Sequence, residues 1–281
     1  MTLHQIKLIR DMINKFFVYL VLSLFGISMI FPFLWMLSTS LKEPSQIFTS
    51  TLQLWPTPIM WSNYIEAWHA IPFGKFYLNS IFVAVAVTFG QILTSSMAAY
   101  AFARLKFPGR DKLFFAYLAT MMIPGMVTLI PVFILLKMFG WLDTYKALIL
   151  PGIFSAYGTF MLRQFFMTLP TDLEDAARID GCSSWRIYWQ IILPLSKPAI
   201  ATLATFTFLG NWQSFFWPLI VTSSEHMKTL PIGLSYFQDI YSTNWTLLMA
   251  ASVIVLAPAL IVFILNQRFI TQGIALTGLK G

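Results

Sequence analysis

The chain has 281 residues, of which 58% are hydrophobic and 10% charged, and its formal net charge is +7. Soluble domains carry about 25% charged residues, so this composition excludes a soluble globular fold and points to a membrane protein. A single cysteine, Cys182, excludes an internal disulfide or a multi-cysteine metal centre, and His4, His69 and His226 form no ligand pair at helical spacing.

The charges are spaced so that six long runs contain none: Phe16–Leu41, Phe76–Ala103, Leu113–Leu136, Ala147–Leu162, Pro198–Ser224 and Ile240–Gln267. Five of the six exceed the roughly 20 residues a helix needs to cross the hydrocarbon core. The fourth holds 16, so Lys146 and Arg163 are expected to snorkel to opposite interfaces. The fold class expected is therefore an all-α membrane protein with six transmembrane helices. Placing the N-terminus inside puts 13 of the 18 lysines and arginines on the inner side, which makes both termini cytoplasmic. That bias accounts for the net positive charge without a nucleic-acid partner.

In chain order, residues 1–15 form a basic arm, with Lys7, Arg10 and Lys15, suited to an anionic inner leaflet. The first transmembrane helix, 16–41, is too long for a signal-peptide core and has no small-residue cleavage site, so it should remain as an anchor. The outside loop, 42–75, carries Trp55, Trp61, Tyr64 and Trp68, aromatics that favour the headgroup zone. A five-helix core spans 76–268 and a cytoplasmic tail 269–281. Within the core, Ser95, Ala99 and Ala103 make a small-residue stripe that permits close helix approach. Pro124, Gly125 and Pro131 in the third run, and Pro151, Gly152 and Gly158 in the fourth, predict kinked or unwound helices.

Between the fourth and fifth runs lies a polar segment, 170–198, with four acids and three bases from Asp172 to Pro198. Thr171 and Glu174 have capping-box spacing at the start of a first helix, and Gly181 stands where a left-handed residue ends it. Leu173, Ala176, Ala177 and Asp180 share one small, flat face. A second helix should begin near Ser183 or Ser184, with Trp185, Tyr188, Trp189 and Ile192 as an aromatic stripe. Pro194 and Pro198 close the unit. An amphipathic interfacial helix would give the same stripe, and the two readings stay open on this feature alone.

The spacing of the whole segment resembles the EAA loop of ABC importer membrane subunits. Asp175-Ala176-Ala177, then Gly181, then Ile191, Leu193 and Pro194 keep every interval of that pattern, with Asp175 where the family usually has Glu and Glu174 beside it. Further landmarks look similar: Asn79-Ser80, Ala98–Arg104, Arg163–Phe166, Asn211-Trp212, Trp217-Pro218-Leu219 and the ending Gln272–Gly281. Together they resemble the carbohydrate-uptake branch, specifically the shorter permease subunit of the maltose importer.

The resemblance implies a type I ABC importer permease fold and a non-catalytic transport subunit for a sugar or polyol in a bacterial or archaeal plasma (inner) membrane. It also implies an assembly with two P-loop ATPase subunits, a second related permease and an external substrate-binding protein. ATPase coupling would fall to Glu174, Asp175, Ala176, Ala177, Asp180, Gly181, Ile191, Leu193 and Pro194. The tail residues Gln272, Gly273 and Gly278 would reach the ATPase interface, and the outside loop Glu225–Trp245 the binding protein. The chain has no G-x-x-x-x-G-K-[ST], so it cannot cradle nucleotide phosphates by that route, and the resemblance implies no cofactor of its own, with ATP-Mg bound by the partner subunits. For the solute path, Asn211, Trp212, Gln213 and Trp217 offer amides beside aromatic faces, which suits a sugar, although the same residues also suit helix–helix ties. The alternative substrate is sn-glycerol-3-phosphate or another non-sugar solute. A membrane-embedded enzyme is disfavoured because no nucleophile, base or metal set converges. A self-sufficient ion-coupled carrier is disfavoured because no acidic or histidine relay lies inside the runs.

Overall fold

The computed structural model describes residues 3–49, 53–238 and 243–278, with side chains described between 10 and 269. Among these residues the chain is helical, with one isolated bridge, Gln238 to Thr243, and no strand. Contacts divide it into two units, 1–71 with 236–255, and 72–235 with 256–281.

In the first unit, helix α1 runs Leu3–Ser40, and its side chains from Asp11 to Leu34 are all exposed. An apolar helix exposed on every side requires lipid or another helix around it, not water. Past its end, Asn63 in α2 (Ser62–Ala70) donates through Nδ2 to the carbonyls of Ser40 and Lys42 at 2.9 and 2.8 Å. Trp61, Ile65 and Trp68 stay exposed beside α2, as expected of an interfacial segment.

The second unit is built on α3, Phe73–Arg104, a helix of 32 residues. Next come α4 (Arg110–Ala119), α5 (Gly125–Met138), α6 (Tyr145–Ile149), α7 (Ala156–Thr168), α8 (Asp172–Ile179) and α9 (Ser184–Ile187). A π-helical turn, Tyr188–Ile192, and α10 (Leu193–Leu195) lead into α11 (Lys197–Trp212), α12 (Phe216–Val221), α13 (Leu230–Ser235) and α14 (Trp245–Gly278). Two buried clusters lie along α3. One joins Val83 and Val87 to Leu136, Ala147, Leu148, Val221 and Met227. The other joins Ala99 and Tyr100 to Leu162, Phe166, Ala177, Ile187, Tyr188, Ile192, Ala199 and Leu203.

The third and fourth runs are broken where their prolines and glycines predict kinks or unwinding. Among the described residues three helices are long and apolar enough to cross a membrane, Arg10–Ser40, Phe73–Arg104 and Trp245–Phe269, or five if each of two bent pairs is one span. The third run bends by 99° between Met122 and Gly125. Pro124 supplies no amide there and holds Ile123 in an extended conformation, φ −84 and ψ 116. The fourth run divides at Leu150–Gly152, around Pro151, into α6 and α7. The fifth becomes α11 and α12, and α11 leaves the segment before it at 77°. Pro131 lies inside α5 without ending it. Side chains satisfy the backbone freed by the fourth break: Thr94 Oγ1 donates to the Ile153 carbonyl, and Ser155 Oγ accepts from the Gly158 amide at 3.0 Å. The small-residue stripe works as expected, since a Cβ on Gly158 would stand 2.7 Å from Ser95 Oγ. That contact lets α7 lie directly against α3.

At the end of α3 near Phe73, buried Asn79 accepts from Tyr145 Oη at 2.6 Å and donates to the carbonyls of His226 and Lys228, each at 2.8 Å. Ser80 Oγ accepts from the Leu230 amide at 2.8 Å. Asp143, at φ 58, accepts from the amides of Ser223 and Ser224 at 3.0 Å each. Burial pushes the Asp143 carboxyl up, but hydrogen bonds from Ser224 and Ser223 and the charge of His226 outweigh it and hold the group below its ordinary value. Its contribution is therefore present at neutral pH and lost as pH falls through and below the ordinary carboxylate range. Replacing Asn79 by Ala strands three polar partners. It is expected to cost about 1–3 kcal/mol, read as a lower midpoint in a thermal unfolding scan of the detergent-solubilised protein.

Candidate functional site

The segment after α7 folds as a helical hairpin. α8 starts after Thr171, which is itself in the α region and makes no side-chain cap, so the predicted capping box is absent. Glu174 is instead turned inward and is only 2% exposed. Its Oε1 stands 2.8 Å from Arg104 Nε, close enough for a strong Coulombic contact though not aligned as a hydrogen bond. Arg104 is the last residue of α3, and its NH2 group donates to the carbonyls of Phe166 and Leu169 at 2.7 Å each. One guanidinium therefore joins the end of α3, the end of α7 and the first turn of α8. Cation and carboxylate side chains are 8% and 3% exposed, so each is the other's compensating charge. Arg178 also reaches Glu174 Oε2, at 3.4 Å, from the exposed side.

Gly181 closes the first helix at φ +79, the left-handed conformation expected of it, and a Cβ there would meet nothing within 4 Å. Ser183 caps the second helix by accepting from the Arg186 amide at 3.4 Å. The aromatic stripe divides. Tyr188 and Ile192 are buried, and Tyr188 Oη shares a 2.7 Å hydrogen bond with Ser96 Oγ of α3, while Trp185 and Trp189 remain about half exposed. The π-helical turn across Tyr188–Ile192 widens the repeat, so the residues that face the core are Ile187, Tyr188 and Ile192.

Of the residues with expected coupling roles, Asp175, Ala176, Asp180 and Gly181 are exposed on the outer surface of the hairpin. Asp175 accepts from Arg178 at 2.7 Å. Ala177 is buried in the core, Ile191 and Leu193 are half-buried against it, and Pro194 is exposed just before the bend into α11. Glu174 and Ala177 therefore anchor the hairpin, and the face open to a partner is Leu173, Asp175, Ala176, Asp180 and Gly181, with Ile179. Ile179 is 87% exposed, an unusual place for an aliphatic side chain in a polar helix. Ile179 and Arg104 are the two residues that sequence reasoning did not assign to the site.

The expected path residues behave differently. Trp212 is 1% exposed, stacked on Phe208 and edge-on to Tyr77 at centroid distances of 5.9 and 5.6 Å. Asn211 donates to the Thr207 carbonyl of its own helix at 2.8 Å, and Trp217 Nε1 to the Ala147 carbonyl at 3.1 Å. Gln213 is exposed. In this conformation Asn211, Trp212 and Trp217 serve as ties within and between helices. The backbone of α14 includes Gln272, Gly273 and Gly278, whose side chains lie outside the described residues.

Residues 90–275 match the family described as "Binding-protein-dependent transport system inner membrane component". The chain is 38% identical over 240 residues to the sn-glycerol-3-phosphate transport system permease protein of Yersinia pestis, covering 83% of this chain and 85% of that one. It is 35% identical over 255 residues to the arabinooligosaccharides transport system permease protein of Halalkalibacterium halodurans, covering 90% and 91%. To the diacetylchitobiose uptake system permease protein of Streptomyces coelicolor it is 34% identical over 258 residues, covering 90% and 85%. The fold is that of a chain in a bacterial ABC transporter that imports the acidic polysaccharide alginate, with a TM-score of 0.83 at 24% identity over 92% of this chain and 97% of that one.

Proposed function

We propose that this chain, which belongs to the family of binding-protein-dependent transport system inner membrane components, forms one membrane half of an ATP-driven importer for a sugar or polyol. The observation that carries the reading is the two-sided hairpin: Glu174 and Ala177 lock it to α3 and α7, while Leu173, Asp175, Ala176, Ile179 and Asp180 face outward. A lever needs this construction. Closure of an ATPase dimer pushes on the outer face, and the Arg104–Glu174 contact passes the push to α3 instead of letting the loop absorb it. Both termini and the hairpin then lie in the cytoplasm of a bacterial or archaeal cell, and the network around Asn79, Asp143 and Leu230 braces the outer side where a binding protein docks. The assembly has one copy of this chain, one related permease and two P-loop ATPase subunits, which hold the ATP-Mg. Gln272, Gly273 and Gly278 would reach the ATPase interface, and residues 279–281 of the same tail lie outside the described residues.

The carbohydrate reading draws on the oligosaccharide permeases among the relatives and on the lack of any Lys or Arg inside the charge-free runs. A second reading, import of sn-glycerol-3-phosphate, draws on the Yersinia relative. It would require the partner permease to supply the cationic groups. Affinity purification of the chain in mild detergent, with mass spectrometry of what accompanies it, tests the assembly. Recovery of a P-loop ATPase and a second permease is expected. Recovery of the chain alone, even after cross-linking, would overturn it. Uptake by the reconstituted complex then separates the two substrates: competition by neutral oligosaccharides supports the first, and competition by sn-glycerol-3-phosphate alone the second.

A further inference from the structure

On the same side of α3 as the hairpin, an open cavity of about 550 Å³ lies at the tight loop leading into α4. It is lined by Lys106, Phe107, Gly109, Arg110, Asp111 and Lys112. Its charges are unbalanced. Arg110 Nε pairs with Asp111 at 2.9 Å, which leaves Lys106 and Lys112 without a carboxylate partner among the described residues. The Asp111 carboxyl is held below its ordinary value first by the hydrogen bond from Arg110, against the opposing effect of burial, with the charges of Arg110 and Arg163 adding to it. Arg163 is fixed beneath the loop, its guanidinium 4.1 Å from the centre of the Phe114 ring and its Nε donating to the Phe102 carbonyl at 3.2 Å. Phe102 in turn packs against Phe107 and Phe114, with ring centres 6.2 and 5.3 Å apart, which ties the loop to α3 and α4.

Two further features narrow the ligand. Gly109 precedes α4 at φ +78 and gives it no side-chain cap; the Arg110 amide donates to the Phe107 carbonyl at 3.4 Å, and the amides that follow face the cavity beside the Asp111 carboxylate that Arg110 neutralises. On the same helix face as Lys112 and one turn beyond it, Phe115 is 68% exposed, and Leu113 on a neighbouring face is 56% exposed. The surface therefore changes from cationic to apolar within one helical turn. A soluble anion or an acidic protein surface would use the cations and leave the apolar side chains unmatched. An amphiphile with a phosphate head matches both.

We propose that this cavity binds the phosphodiester headgroup of an anionic phospholipid of the inner leaflet, between Lys106, Lys112 and the first turn of α4, with an acyl chain along Phe115, which shares a helix face with Lys112. The lipid fixes the depth at which the loop sits, one residue beyond Arg104 and thus next to the contact that holds the hairpin.

The test uses the full chain with its co-purifying subunits, equilibrated in nanodiscs of equal dioleoylphosphatidylglycerol and dioleoylphosphatidylcholine, then returned to detergent for native mass spectrometry. Retention of phosphatidylglycerol over phosphatidylcholine is expected. Lys106→Gln with Lys112→Gln should lower that retention about tenfold or more, because each cation near an anionic surface contributes strongly to binding. Lys106→Arg with Lys112→Arg should preserve it. On the unaltered protein, phosphatidylglycerol but not phosphatidylcholine should protect Lys106 and Lys112 from an amine-acylating reagent, a readout that needs no variant. Equal retention by the Gln variant, or equal protection by both lipids, overturns the proposal. So does displacement of the lipid by inorganic phosphate but not by chloride of matched ionic strength, which would mark a free-phosphate site. Loss of an ATPase subunit from the Gln variant with lipid retention intact would mark a protein contact and overturn it equally.

Discussion

Glu174→Ala is expected to abolish substrate uptake and to loosen the hairpin, although Glu174 never faces a partner. The change removes the carboxylate 2.8 Å from Arg104 and leaves a guanidinium whose side chain is 8% exposed facing only the carbonyls of Phe166 and Leu169. Removing one member of a buried ion pair costs about 3–5 kcal/mol, because the desolvated partner stays uncompensated. Arg104→Ala should be similarly damaging, since it also frees the two carbonyls at the end of α7. The pair Arg104→Met with Glu174→Leu removes both charges at comparable volume, and its stability should recover toward that of the parent. Uptake should not recover with it, because the apolar pair does not reproduce the tether to α7. Thermal midpoints and uptake rates for the parent, Arg104→Met, Glu174→Leu and the Arg104→Met/Glu174→Leu double form the cycle, with the two alanine variants measured beside them. A Glu174→Ala protein that unfolds and transports like the parent would contradict the tether.

The second large effect is at Gly181. A side chain there has room, since a Cβ meets nothing within 4 Å, so the penalty is purely one of backbone conformation at φ +79. Gly181→Asn, whose side chain tolerates the left-handed region, should keep most transport. Gly181→Val should cost about 1–2 kcal/mol in that conformation, leaving about 5–30-fold fewer hairpins in the docking geometry. Gly181→Asp should likewise uncouple transport, by placing a second carboxylate beside Asp180 on the exposed surface. All three should insert normally, because the turn lies outside the apolar helices. Uptake measured beside membrane content separates the outcomes, and normal uptake by the Val protein would rule out the turn as a determinant of coupling.

How far the sequence announces this arrangement depends on the range of the interaction. Gly181, the Ser183 cap and the extent of the hairpin are local features, and they stand where spacing and turn chemistry put them. The capping box failed for a long-range reason. Glu174 had the right spacing for Thr171, but Arg104 lies 70 positions earlier in the chain, and a buried cation outcompetes a backbone amide for the carboxylate. No local pattern reports such a pairing. The aromatic stripe was read with a 3.6-residue period, and the π-helical turn at Tyr188–Ile192 changed which residues face inward. Proline marked the breaks in the third and fourth runs correctly but did not give the 99° bend, which depends on what packs on either side. Asn211, Trp212 and Trp217 illustrate the same limit. An amide beside two indoles suits a sugar or a helix tie equally well by composition, and their hydrogen bonds and stacking favour the tie.

The docking of the outer face of the hairpin on an ATPase is tested most directly by placing the photoreactive amino acid p-benzoylphenylalanine at one position at a time in the intact cell. Substitution at Ile179, which is 87% exposed, should give an ultraviolet-dependent adduct with a P-loop ATPase, identified by mass spectrometry. Substitution at Trp217, tied by its indole to the Ala147 carbonyl, should give none. An adduct at Ile179 whose yield changes when ATP is trapped on the complex would establish the hairpin as the contact that moves with the ATPase. Adducts at Ile179 only with lipid, or with no partner at all in an uptake-competent protein, would contradict the coupling role and leave the hairpin an interfacial helix pair.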